Sequence, residues 1–225
     1  MNTTTPILLY ALVAGLSPLA LLATLAALGT GRGRATGSAF AVGFLLTQSV
    51  VLFVAVILGS AATPDRERSH ETLAAVLELV LGIALLAFAA HGRLSDRPAE
   101  RARESRTAAL LARLGNLRPA TALSVGSLLG VGGVKRLTIT LFAGATIAVA
   151  SFNRAQETAL GVAYVAIASL LVWLPVAVYL VSGRRADAWT EATRGWLIAN
   201  EQRLTEVSTV FFGVLLIAHS LVLLA

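Results

Sequence analysis

The stretch Gly130-Val-Gly-Gly-Val-Lys-Arg136 decides how this chain is read. It lies inside an apolar run from Pro119 to Ser151, with Lys135 at the midpoint. As one straight helix the run would be about 50 Å long, against a bilayer hydrocarbon core of about 30 Å. It must therefore tilt steeply, break or fold back, and Gly130, Gly132 and Gly133 mark the expected helix break. A break at membrane depth frees backbone groups, which is tolerated only against protein or a water-filled cavity. Two adjacent cations at that depth are costly in hydrocarbon, so Lys135 and Arg136 become candidate substrate-binding residues. The alternative is that both snorkel to an interface or end a shorter helix.

The rest of the chain has the composition of an integral membrane protein. Its 225 residues are 56% hydrophobic and only 13% charged, and the mean hydropathy is +0.79. Cysteine is absent, which removes disulfides and thiolate catalysis. A net charge of +6 would suit nucleic acid, but the cations sit in loops between apolar runs. There they act as topology signals and attract lipid headgroups, so membrane lipids are the expected partners and nucleic acid is not.

The expected fold class is an all-α integral membrane protein with six transmembrane helices. The spans are Ile7–Leu28, Ser38–Ala62, Leu73–Ala90, Pro119–Ser151, Thr158–Ser182 and Val207–Ala225. The leader before Ile7 carries no Lys or Arg, so the first run reads as a span and not as a cleavable signal. Ser17-Pro18 falls in its middle, where Pro18 removes a helix hydrogen bond and kinks the chain. Span two is free of charge and carries the polar patch Thr47-Gln48-Ser49. Span three holds one carboxylate, Glu78, and span five contains Pro175.

Cation placement predicts orientation. The loop after span three carries Arg93, Arg97, Arg101, Arg103, Arg106, Arg113 and Arg118, and the loops after spans one and five are also Arg-rich. The remaining loops hold only Arg66, Arg68 and Arg154. The Arg-rich loops belong in the cytoplasm, which puts both termini outside. Two cytoplasmic connections look helical. Pro98–Leu114 carries an apolar stripe but reads equally as a solvated linker, whereas Ala186–Ile198 sets Trp189 and Trp196 on one face, as an interfacial helix does.

A faint internal repeat relates Ala11-Leu-Val-Ala-Gly15 to Ala122-Leu-Ser-Val-Gly126. It divides a single membrane domain, 1–225, into repeat one (7–91), a cytoplasmic linker (92–118) and repeat two (119–225). Three spans per half make the second copy inverted, with a broken or kinked first helix in each half, a transporter design.

Glu78 needs a partner inside the membrane, and Lys135 or Arg136 would reach it if span four is bent. Otherwise it snorkels to the outer interface. Gln48 and Thr47 either line the same cavity or join helices by hydrogen bonds. His70, His91 and His219 share no ligand spacing, so no metal is expected. Gly29-Thr-Gly-Arg-Gly-Arg34 lacks a following Lys-Ser/Thr and is a turn, not a phosphate loop. No catalytic residue and no cofactor can be assigned, which disfavours an enzyme.

Several short motifs resemble one known family. Gly15-Leu-Ser-Pro-Leu-Ala20, a Gly/Arg loop and Ala41-Val-Gly-Phe44 are similar to the first half of the glycopeptidolipid/sulfolipid-addressing protein (GAP/Sap) family, part of the lysine-exporter superfamily. Val134-Lys-Arg-Leu137, Ala143-Gly-Ala-Thr-Ile147, Leu174-Pro-Val-Ala-Val-Tyr-Leu-Val181, Trp196-Leu-Ile-Ala-Asn200 and Phe212-Gly-Val-Leu-Leu216 extend the resemblance through the second half. The family's usual Asn-Pro-Lys-Asn in span four is replaced here by Gly133-Val134-Lys135-Arg136. The resemblance implies a six-span bacterial cytoplasmic-membrane protein that moves lipid-linked or amphiphilic envelope molecules outward. Ser17, Pro18, Gln48, Glu78, Lys135 and Arg136 are then the expected substrate-binding set. Adjacent cations favour an anionic cargo, since a cationic one would be repelled. A small-solute exporter of amino acids or ions and a non-transporting scaffold for envelope-lipid assembly are the alternatives, and a homo-oligomer stays open.

Overall fold

A computed structural model describes residues 4–61, 83, 118–131, 134–150 and 152–224. Among the described residues every regular element is helical. The order is α1 (Thr4–Gly15), α2 (Pro18–Leu28), α3 (Gly33–Ala61), α4 (Pro119–Val131), α5 (Val134–Val149), α6 (Arg154–Ala168), α7 (Leu170–Ser182), a 3-10 turn (Gly183–Ala186) and α8 (Asp187–Leu224). The chain forms two compact units. Met1–Thr63 with Leu110–Ala199 holds α1 to α7 and the start of α8, and Pro64–Ala109 with Asn200–Ala225 holds the remainder of α8. The expected third span, Glu78 and the 98–114 connection lie outside the described residues, apart from Ile83.

One helix, α3, is long and apolar enough to cross a membrane by itself, and the described residues supply up to four spans if each bent pair is one. Its 29 residues would extend about 43 Å. Leu46, Val50, Phe53 and Ile57 form an exposed apolar face along it, the polarity expected where the solvent is lipid.

The expected kink in the first span is a full interruption. Helix α1 stops at Gly15 and α2 restarts at Pro18, bent by 55°. Proline at the first helical position costs nothing, because its missing N–H would be unpaired there anyway. Ser17 is the N-cap of α2, its Oγ accepting from the Ala20 N–H at 3.4 Å. The second interruption falls between Val131 and Val134, and α4 and α5 are bent by 66°. Gly132 and Gly133 occupy that gap and lie outside the described residues.

Gly130 departs from the expectation that it opens the break. Helix α4 runs through it to Val131, and the glycine is used for packing. A Cβ on Gly130 would stand 2.6 Å from the Phe44 carbonyl oxygen of α3. One turn earlier, a Cβ on Gly126 would collide with the Phe40 carbonyl oxygen. From the other side, Gly43 of α3 meets the Leu123 carbonyl. Small residues four apart let two backbones close together where lipid supplies no hydrophobic drive.

A third interruption was not expected. The expected fifth span breaks at Ser169, where α6 and α7 meet at 73°, while Pro175 stays inside α7. The bend frees the Ala166 carbonyl, and the Trp173 indole N–H donates to it at 2.9 Å. A side chain inserted into the backbone ladder is an established cause of a sharp kink. At its start, α6 has a capping box: Asn153 Oδ1 accepts from the Gln156 N–H at 2.9 Å, and Gln156 Oε1 accepts from the Asn153 N–H at 3.0 Å.

The proposed interfacial helix and sixth span are parts of one continuous element, α8. Trp189 and Trp196 are exposed on it, and Tyr179 O–H donates to Asp187 Oδ1 at 2.9 Å, fastening its first turn to α7.

Candidate functional site

The first two interruptions meet at Arg136, in the first turn of α5. Its guanidinium Nη2 donates to the Ala14 carbonyl at 2.7 Å, and the residue is only 7% exposed. The reason lies in the sequence of the first break. In a continuous helix the Ala14 carbonyl would accept from the N–H four residues on, but that residue is Pro18, which has none. Arg136 supplies the missing donor from the second half of the chain. A cation at a helix C-terminus also complements the negative end of its dipole.

The guanidinium carbon lies 4.7 Å from the centroid of the Phe44 ring, a cation–π arrangement. Among the described residues no carboxylate pairs with Arg136; the ion pair they contain is Arg194–Glu191, at 3.6 Å. The expected partner Glu78 lies outside the described residues, as does the Lys135 side chain, whose backbone forms the start of α5.

Below Arg136, a buried polar network joins α3, α5 and α6. Thr140 Oγ1 donates to the Arg136 carbonyl at 2.9 Å. Gln48 Nε2 donates to Thr140 Oγ1 at 3.0 Å. Tyr164 O–H lies 2.9 Å from the same oxygen. Thr140 has one hydroxyl proton, already committed to Arg136, so Tyr164 is the donor in that pair. The same count fixes the Gln48 amide, because a reversed amide would turn an acceptor toward an oxygen with no proton left. Gln48 thus performs the helix-joining role that was its alternative reading.

Two side-chain atoms of Arg136 and Gln48 remain unsatisfied. Arg136 Nη1 and Gln48 Oε1 are shut off from solvent and have no hydrogen-bond partner. Each such atom costs about 1–3 kcal/mol in a buried site, so both call for an explanation. The Ser169 hydroxyl, at the third interruption, is buried and unpartnered in the same way. That interruption abuts the first, since a Cβ on Gly15 would stand 2.8 Å from the Ile167 carbonyl oxygen.

Of the expected set, the structure brings together Arg136 and Gln48, with Pro18 acting through the carbonyl it leaves open. The Ser17 hydroxyl is used in capping α2. Phe44, Thr140, Tyr164 and Ser169 were not anticipated. A hydroxyl inside an apolar run was the available signal for Thr140 and Tyr164. Among the described residues no cluster of His, Cys, Asp and Glu has the makings of a metal site.

The family model described as "Sap, sulfolipid-1-addressing protein" matches residues 7–222. Comparison with curated proteins and with solved structures gave no match. The interrupted helices and their buried arginine therefore stand in a chain that belongs to the Sap, sulfolipid-1-addressing protein, family.

Proposed function

We propose that this protein is a transporter, not an enzyme, that exports an anionic lipid-linked or amphiphilic envelope molecule across the bacterial cytoplasmic membrane. The family name points to lipid-related envelope processes. The observation that carries the reading is Arg136, a buried cation with an unpartnered donor where two interrupted helices meet. Interrupted helices aim backbone dipoles at a polar cargo at membrane depth, and a buried cation with no carboxylate beside it among the described residues suits an anion. Membership of the lysine-exporter superfamily, six spans and inverted three-helix repeats complete the proposal. Deleting the gene should remove one anionic amphiphile from the outer envelope and accumulate it inside, as read by fractionated lipid profiles. An unchanged profile in both fractions would defeat the export reading.

The proposed orientation has its own test. Thr190 is unsuited to a labelling site, because it is buried with its hydroxyl donating to the Ala186 carbonyl at 2.8 Å. Gly195 has open space around it. Gly195→Cys should resist an impermeant thiol reagent in intact cells and react after permeabilisation. Labelling in intact cells would reverse the topology and, with it, the direction assigned to each repeat.

A further inference from the structure

At the junction of α7 and α8, Val178, Val181, Ser182, Arg185, Ala186 and Trp189 line an open hollow of about 690 Å³. Its two ends differ in chemistry, because the sequence passes from Tyr179-Leu-Val-Ser182 to Gly183-Arg-Arg185 within one turn of chain. At the basic end Arg185 is exposed, and the carboxylates that open α8 are engaged elsewhere. Asp187 accepts from Tyr179 O–H at 2.9 Å, and Glu191 pairs with Arg194 at 3.6 Å. Arg34 adds a second cation at the same turn, its Nη2 standing 3.0 Å from where a Cβ on Gly183 would be.

At the apolar end, Leu170, Leu174, Val178 and Val181 are exposed at helical spacing along α7, Val181 at 89%. They make one stripe about 16 Å long, comparable with half the thickness of a bilayer's hydrocarbon core. A soluble anion would use the arginine and none of the stripe. An amphiphile uses both, and an uncommitted cation at the head of the stripe selects a negatively charged one.

We infer that this hollow binds an anionic phospholipid of the surrounding bilayer, phosphatidylglycerol being a simple example. The lipid's phosphate sits against Arg185, its glycerol region against Ser182 and Trp189, and one acyl chain along Val178, Val181 and the rest of the stripe. Tryptophan suits the middle position, with an apolar ring and a donor N–H on one molecule. A lipid held there fastens the turn between α7 and α8 to the membrane interface. The site shares no residue with the Arg136 cluster, and its binding does not depend on what the protein exports.

Tryptophan fluorescence reads the site directly. Delipidated full-length protein in detergent is titrated with phosphatidylglycerol or phosphatidylcholine brominated in the acyl chains, since bromine quenches an indole that it approaches. The tryptophans are Trp173, Trp189 and Trp196, and comparison with Trp189→Phe isolates the signal of Trp189. That signal should be quenched at about fivefold lower content of phosphatidylglycerol than of phosphatidylcholine, the effect of one interfacial cation. Arg185→Gln should bring the two lipids level. Arg154→Gln, which removes an exposed cation from the start of α6, should leave the preference intact. Glycerol 3-phosphate should not relieve the quenching, because it has no chain for the stripe.

Four results would overturn the proposal. Quenching of Trp189 by neither lipid would leave the hollow to a protein partner. Equal quenching by the two lipids in the unaltered protein would remove the charge selection. An equal loss of preference in both arginine variants would reveal diffuse attraction in place of a site. Relief by glycerol 3-phosphate would assign the hollow to soluble phosphate esters.

Discussion

Arg136→Ala should lower export by about ten- to a hundredfold and also reduce the melting temperature of the purified protein. The substitution removes a charge-assisted hydrogen bond, a contribution of about 1.5–3 kcal/mol, and the cation–π contact with Phe44. It also leaves the Ala14 carbonyl with no donor, since Pro18 cannot offer one. Loss of export alone would therefore not separate cargo binding from support of the break. Arg136→Gln makes that separation, because an amide keeps an N–H for Ala14 and gives up the charge. Its melting temperature should lie well above that of Arg136→Ala, while its export should stay low. Arg136→Lys should retain part of the export, having the charge but not the planar fork of donors. Normal export by a stable Arg136→Gln protein would reduce the arginine to a structural cap.

The second large effect concerns two glycines whose substitution should act with opposite sign. Alanine is favoured over glycine inside a helix by about 1 kcal/mol. Gly195 lies in α8 with nothing within 4 Å of an added Cβ. Gly195→Ala should therefore raise the melting temperature slightly. At Gly126 the same gain is outweighed, because the Cβ would collide with the Phe40 backbone, which cannot swing aside as a side chain can. Overpacking of this kind costs about 1–3 kcal/mol, and the Gly126 substitution should lower the melting temperature despite better helix propensity. If Gly126→Ala proved neutral, α3 and α4 would not be in backbone contact.

Two of the three interruptions were legible because their causes are local. Pro18 lacks a donor wherever it sits, and the Pro119–Ser151 run exceeds any single span. The break at Ser169 carries neither glycine nor proline. It is held by the Trp173 indole bonding the Ala166 carbonyl, and apolar periodicity says nothing about which carbonyl a side chain reaches. The same blindness misassigned Gly130, since a glycine before a break and a glycine under a neighbouring helix look alike in sequence. Arg136 was read as a candidate site residue, and the partner sought for it was the carboxylate of Glu78, which lies outside the described residues. Its observed partner is a main-chain oxygen, a choice that depends on tertiary placement. Gln48 was chosen for its polarity in an apolar run, and only the proton count at Thr140 shows which end of its amide is engaged.

The donor that Arg136 lends to Ala14 also sets an order of events during synthesis. The two residues are 122 positions apart, and chains grow at roughly 5–20 residues per second. For roughly 6–25 s the first bent helix pair therefore exists without the donor that its Ala14 carbonyl will receive. In that interval the oxygen must borrow water or a lipid headgroup, and the angle between α1 and α2 is provisional. The mature geometry of the first bend is therefore acquired late, only when Arg136 has been made and displaces what the carbonyl borrowed.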